Sequence, residues 1–127
     1  MATYDHQTFS GIVVKGLQNG RKFGFPTANL SLHEPHAQIE NGVYAVQLTV
    51  QKKVYFGMLY AGTRPTLQLT QTSYEIHIFD FSDTIYNQVI EFYIIEKIRD
   101  ERTFTSTSAL IEQIKIDQDE IQKIIDR

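Results

Sequence analysis

The hydrophobic pattern of this chain changes period once, near Phe104, and that change limits the architectures open to it. Before it lie short β-branched and aromatic runs separated by turn residues. After it Leu110, Ile111, Ile114, Ile121, Ile124 and Ile125 recur at spacings that fit an amphipathic helix. The run FSGIVVK, from Phe9 to Lys15, reads as a first strand. Gly42 to Gln51 and Val54 to Ala61 read as a hairpin joined by Gln51-Lys52-Lys53. Tyr74 to Phe81 alternates, with Tyr74, Ile76 and Ile78 on one side and Glu75, His77 and Phe79 on the other. Val89 to Ile98 is a further strand, entered through a turn at Asp83 to Asn87. Ser106 or Ser108 is placed to cap the helix. Asp117 and Glu120 are spaced like a second capping box, which leaves open a break near Gln118. Consecutive short strands followed by one helix predict a mainly β fold. The expected form is a small closed antiparallel Greek-key barrel of about six strands, with the helix outside it or over one end. The barrel is expected over residues 8–100 and the C-terminal helical segment over 106–126.

With 127 residues, 42% of them hydrophobic, the chain is expected to form one domain around one core. The net charge is −3, and Lys and Arg are spread along the chain rather than clustered. No nucleic-acid or anionic-membrane partner is therefore expected. The sequence has no cysteine, so disulfides, thiolate nucleophiles and cysteine-bound zinc are excluded. No apolar run approaches the ~20 residues of a membrane span, and Met1 to Gln7 are too polar for a signal peptide. A cytoplasmic monomer is the default expectation.

Between Gly16 and His36 stand Gly16, Gly20, Gly24, Pro26 and Pro35, too many breakers for a long regular element. Gly16 to Asn29 is expected to be an ordered loop, packed by Phe23, Phe25 and Leu30. Loops this long in a compact domain are usually either functional or disordered, and the apolar packing residues favour function here. GLQNGRKFGFPTANL joins close-approach glycines, a cation at Arg21, and Thr27 and Asn29 as hard neutral oxygen ligands beside Pro26. Glycine backbone amides suit phosphate oxygens, and such side chains suit magnesium carried in with a nucleotide. The segment is neither a Walker A loop nor a dinucleotide fingerprint. On chemistry alone, a merely structural loop remains open.

The segment resembles the signature of the riboflavin kinase family, a Gly-Arg pair followed by Gly-Phe-Pro-Thr-Ala-Asn. Here these are Gly20-Arg21 and Gly24 to Asn29. The preceding GIVVKG, Gly42-Val43-Tyr44-Ala45, Gly62-Thr63-Arg64-Pro65-Thr66 and Glu75 to Phe81 follow in family order, then Ile98-Arg99-Asp100-Glu101 with Phe104 and Ser106. The resemblance covers nearly the whole chain and implies a riboflavin kinase domain over 1–127. Its reaction would move the γ-phosphoryl group of ATP onto the terminal ribityl hydroxyl of riboflavin, giving FMN and ADP. By the same resemblance Thr27 and Asn29 hold magnesium and the ATP phosphates, and Gly16, Gly20 and Arg21 contact the nucleotide. Glu75 is the catalytic base, and Arg99, Asp100, Glu101, Phe104 and Leu110 bind the flavin. A glutamate on a half-buried strand is otherwise most often just a solvent-facing side chain. Phe104 and Leu110 would otherwise be helix-to-barrel packing, the reading preferred for Ile114, while His77 is read as a packing or hydrogen-bonding neighbour.

Three positions depart from the family pattern: Asn87 for a glycine, Leu67 for a phenylalanine and Ala61 for a small polar residue. Asparagine tolerates positive φ, so the turn at Asn87 is expected to survive. Leu67 and Ala61 are expected near the nucleotide pocket. Bacterial relatives often carry this domain behind an adenylyltransferase domain, whose His-x-Gly-His pattern is missing here. The chain alone is thus expected to make FMN and not FAD, whether free-standing or part of a longer parent protein. A non-catalytic flavin- or nucleotide-binding regulatory barrel is the alternative. His33, Glu34 and His36 are read as a solvated turn beside Pro35 rather than a metal site.

Overall fold

A computed structural model describes residues 7–14, 27–33, 39–65, 70–81 and 85–127, with the side chains of 63–65, 70 and 71 left aside. Six strands, β1 (Thr8–Val14), β2 (Ala28–Leu32), β3 (Gly42–Val50), β4 (Lys53–Pro65), β5 (Thr70–Ile78) and β6 (Val89–Asp100), precede one helix, α1 (Thr107–Ile125). All neighbouring strands are antiparallel and close into a barrel in the order β1-β2-β5-β4-β3-β6. Within that order β6-β3-β4-β5 is a Greek key, the fourth strand returning beside the first of a three-strand meander. The barrel with its C-terminal helix is the architecture expected from the sequence. Among the described residues no helix is long and apolar enough to cross a membrane.

Closure gives each strand an inner and an outer face, and β3 shows what the pattern means. Its first half, Val43 to Val46, is buried at every position, whereas Gln47 to Val50 alternates. Tyr44, Val46, Leu48 and Val50 point into the barrel with Phe9, Leu59, Ile76, Ile90 and Phe92. Val43 and Ala45 point outward into a second cluster with Met58 and Ile121, flanked by Tyr60, Phe79, Ile98, Ile114 and Ile125. A strand covered on both faces reads as a continuous apolar run, one covered on a single face as an alternation. The helix therefore docks outside the barrel over the first half of β3. Inside, Phe9 and Phe92 stack with ring centroids 5.4 Å apart, and the buried Tyr44 donates its hydroxyl to the Glu40 carbonyl at 2.6 Å.

Local chemistry explains the turns and ends. Val50 pairs with Lys53, so the β3–β4 turn is the two residues Gln51 and Lys52, at φ of 52° and 67°. Positive φ at both positions is the type I′ geometry whose twist matches a hairpin. Asn87 sits at φ 68° and donates its backbone N–H to the Val13 carbonyl at 2.8 Å. The asparagine thus supplies the left-handed conformation that a glycine would otherwise provide. At Gly42 a Cβ would stand 2.6 Å from the Arg99 carbonyl oxygen, so only glycine lets β3 start this close to the end of β6. Register shifts between Val43 and Tyr44 and between Ala45 and Val46 mark bulges in the β3–β6 pair, which bend a strand and add twist.

Several expectations change in detail. Ala28 and Asn29 open β2 rather than end a loop, Thr27 stands just before it, and residues 16–26 of the expected loop, with Gly16, Gly20, Arg21, Phe23 and Phe25, lie outside the described residues, as does Leu67. The helix runs unbroken through Gln118. Ser106 is its N-cap, with Oγ accepting from the Ala109 N–H at 3.1 Å, and no second cap forms at Asp117. Ala61 is fully buried in the barrel interior, away from the outer face, because its neighbours Tyr60 and Gly62 take the outward positions. Truncating the helix anchor by Ile121→Ala is expected to cost about 2–5 kcal/mol. Chemical denaturation against the parent chain checks this, and a loss below 1 kcal/mol on the same test would mean that Ile121 does not anchor α1.

Candidate active site

Because Ala28, Leu30 and Leu32 pack toward the barrel core, Asn29 must point outward, and Thr27 precedes it by one alternation. On β5 the core takes Tyr74, Ile76 and Ile78, which sends Glu75 and His77 out. Asn29 lies directly opposite Glu75 in the β2–β5 pair, and Glu75 directly opposite Tyr60 in the β5–β4 pair. Residues so paired have Cβ atoms about 4.5–5.5 Å apart, close enough for their side chains to share a ligand. Asn29, Glu75 and Tyr60 therefore form one polar row across the outer surface, with Thr27, the residue just before β2, at its Asn29 end. The row borders the apolar cluster under α1, to which Tyr60 also belongs.

Two oxygens in this row mark it as more than surface. Thr27 Oγ1 is buried and makes no hydrogen bond, and Glu75 Oε1 is buried as well. Leaving a buried hydroxyl unsatisfied costs about 1–3 kcal/mol, which a bound ligand would recover. Among the described residues no group of three His, Cys, Asp or Glu side chains is placed to hold a metal ion. A cation here would rest on neutral oxygens such as those of Thr27 and Asn29, together with oxygens brought by its ligand. That donor set suits a hard divalent ion carried in on phosphates.

The row continues toward the end of β6 through Gly62. A Cβ at Gly62 would lie 2.5 Å from Tyr60 Cε1 and 2.9 Å from Glu101 Oε2, so the bare glycine lets the Tyr60 ring and the Glu101 carboxylate meet over β4. Glu101 follows Arg99 and Asp100 at the strand end, and Phe104 lies just beyond. Arg99 donates from Nε and Nη2 to the Asp117 carboxylate at 3.0 and 2.9 Å and from Nη1 to the Asp100 carbonyl at 3.2 Å. The guanidinium carbons of Arg99 and Arg102 lie 5.6 and 5.1 Å from the centre of the Phe104 ring, within cation–π range. The Asp100 side chain turns to Lys97 at 2.6 Å. Leu110 is half-buried in the first turns of α1.

The structure thus brings Thr27, Asn29 and Glu75 into one row and joins it, through Tyr60 and Gly62, to Glu101. Arg99 and Phe104 form a second, helix-buttressed group, and Asp100 is engaged with Lys97. His77 packs edge-on against Phe79, centroids 5.5 Å apart, as its reading as a packing neighbour requires. His33 bonds Ser10, while Glu34 and His36 lie outside the described residues. Sequence reasoning missed Tyr60, Asp117 and Gln113. For Asp117 a signal was present: Leu110, Ile114, Asp117 and Ile121 share one stripe of the helix, and a carboxylate within an apolar stripe demands a buried partner.

The fold and this row define the class first: a closed Greek-key barrel with a polar row on its outer wall, bordered by a C-terminal helix. Sequence comparison then gives the family. The flavokinase family profile, described as riboflavin kinase, matches residues 4–125, and the chain belongs to the riboflavin kinase family. It is 45% identical over 109 residues to the RNA-binding riboflavin kinase RibR of Bacillus subtilis, covering 85% of this chain and 46% of that protein. It is 39% identical over 113 residues to the bifunctional riboflavin kinase/FMN adenylyltransferase of the same organism, covering 87% of this chain and 36% of that protein. The chain therefore spans less than half the length of these relatives. A crystal structure from Streptococcus pneumoniae, described as a macrolide-efflux protein, superposes with a TM-score of 0.85 at 34% identity, covering 91% of this chain and 38% of that one. The riboflavin kinase of Trypanosoma brucei shares the fold with a TM-score of 0.69 at 23% identity, covering 94% of this chain and 80% of that one.

Two measurements probe this geometry. The hydrogen bond from Lys97 holds the Asp100 carboxyl below its ordinary 3.8 and, as the larger influence on Lys97, raises that amine above 10.5. A lowered carboxyl stabilises the fold above its unfolded value and loses that effect as pH falls through the folded value; a raised amine loses its effect as pH rises through the folded value. The stability difference between parent and Asp100→Asn should therefore be flat from pH 5 to 9 and close in acid below 3.8, read by denaturant titration at each pH. Gly62→Ala should push the Tyr60 ring and Glu101 apart at a cost of about 1–2 kcal/mol, since both obstacles are movable side chains. A variant crystal structure with Tyr60 and Glu101 unmoved would refute it.

Proposed function

We propose that this chain catalyses phosphoryl transfer from ATP to the terminal ribityl hydroxyl of riboflavin, giving FMN and ADP, with magnesium as the divalent cation. The observation that carries the reading is the row on the outer wall: an unsatisfied buried threonine hydroxyl and an asparagine beside a carboxylate, leading to an aromatic group braced by arginines. Phosphoryl transfer through a loose transition state asks little covalent chemistry of a protein, and depends on holding two substrates in line and on balancing phosphate charge.

The two ends of the row divide that work. Thr27 and Asn29 would hold the metal and the ATP phosphates, Thr27 with the hydroxyl that lacks a partner in this structure. When bound, the cation neutralises charge on the phosphate oxygens and fixes the γ-phosphoryl group. The nucleotide contacts proposed for Gly16, Gly20 and Arg21 fall on residues beyond the described ones. Arg99, Asp100, Glu101, Phe104 and Leu110 would form the flavin side, where a flat aromatic ligand finds the Phe104 ring and an apolar helix start. Glu75 stands between the two sides. Its carboxylate would orient the ribityl hydroxyl and take its proton as the O–P bond forms, while the β–γ bond breaks and ADP leaves.

General-base catalysis by a positioned carboxylate contributes about 10²–10⁴-fold. Glu75→Gln is expected to lower kcat by that factor while leaving riboflavin and ATP binding nearly unchanged, because it removes only the proton acceptor. Incubating the chain with riboflavin, ATP and magnesium, and separating riboflavin, FMN and FAD by chromatography, measures this directly. Riboflavin or ATP binding with no FMN formed by the parent chain would instead support a non-catalytic regulatory barrel.

A further inference from the structure

Asp117 is the one charged side chain fully buried among the described residues, at 1% exposure, and the mechanism above does not use it. Its surroundings are a network rather than a single pair. Arg99 donates Nε and Nη2 to its carboxylate, and Gln113, one helical turn earlier, donates Nε2 to Oδ1 at 3.0 Å. Gln113 Oε1 in turn accepts from Arg102 Nη1 at 3.0 Å. Two helix residues thus grip both arginines of the segment 99–104, and both guanidinium groups lie near the Phe104 ring. Position 117 lies on the apolar stripe of α1, where a leucine would pack with Ile114 and Ile121. Replacing a buried ion pair by apolar residues is often neutral or stabilising, so stability alone does not explain a carboxylate here.

We infer that Asp117, seconded by Gln113, is a positioning residue for riboflavin: it locks Arg99 and Arg102 to the helix and so fixes the Phe104 ring that faces the flavin. The inference rests on the kinase reading for the identity of the ligand, but the clamp itself is observed geometry. Arg99 has nitrogens committed to Asp117 and to the Asp100 carbonyl, so its action on the ligand runs through the shape of the segment. Among the described residues, the bonds of this network join only 99–102 and α1, and none of them runs to Thr27 or to Asn29 on β2. Losing the clamp should therefore separate the two substrates.

The test compares the parent chain with Asp117→Asn, which keeps the shape but removes the charge, and Asp117→Leu, which completes the apolar stripe and guards against simple unfolding. In both variants the KM for riboflavin should rise by about tenfold to a hundredfold, the loss typical of a reacting group misplaced by about 1 Å, with the KM for ATP within about twofold. Riboflavin affinity, read from quenching of its own fluorescence, should fall by the same factor without any turnover. Amide hydrogen exchange over 99–104 should quicken while that of β2 stays fixed. A folded Asp117→Leu variant with parental riboflavin affinity and parental exchange would overturn the inference, as would equal rises in both KM values. If the parent binds riboflavin but makes no FMN, the kinase reading fails by itself, and the fluorescence and exchange measurements still decide the clamp.

Discussion

The double pairing of β6, with β1 along one edge and β3 along the other, is the constraint on which the rest of the structure depends. By closing the barrel it removes the free sheet edges and commits the inner face of every strand to one core. Phe9, Tyr44, Leu48, Leu59, Ile76 and Phe92 fill the interior, and the polar row of Asn29, Glu75 and Tyr60 lies on the outer wall. The same strand delivers Arg99, Asp100 and Glu101 at its end, beside the start of β3, where Gly42 permits the close approach. Closure and the placing of this polar segment are thus two outcomes of one pairing.

On that wall α1 does two kinds of work. Ile114, Ile121 and Ile125 cover the outward apolar residues of β3 and β4 and hold the helix in place by area burial. Asp117 and Gln113, interleaved with them on the helix, give directional contacts to Arg99 and Arg102. Hydrophobic burial is indifferent to small rotations of the helix, whereas a carboxylate gripping a guanidinium fork is not. The apolar stripe therefore sets where the helix sits and the polar pair sets the geometry of the segment it braces. In the bordering row strand register brings Asn29, Glu75 and Tyr60 together, and Tyr60 alone of the three also packs against the cluster under α1.

Much of this was legible beforehand because it depends on local pattern. The alternation of Tyr74 to Ile78 already placed Glu75 outward, and the left-handed turn at Asn87 followed from what asparagine tolerates. β2 was missed because five residues, ANLSL, next to a run of glycines and prolines carry too little periodicity to stand out. Ala61, expected near the nucleotide pocket, points inward, because neighbours on a strand point to opposite faces and Tyr60 and Gly62 take the outer one. The second capping box at Asp117 was offered by spacing alone; the side chain is instead drawn inward by Arg99, from 18 residues earlier.

By itself the sequence determined the class of each element, the face on which Glu75 stands and the family to which the chain belongs, because these are written in periods of two and of three to four residues and in contiguous motifs. Only the tertiary structure decided that Asn29 lies opposite Glu75, that Tyr60 and Gly62 link this pair to Glu101, and that Asp117 holds Arg99. These are contacts between residues far apart along the chain, set by strand register and helix docking, and no local pattern encodes which partner closure will bring.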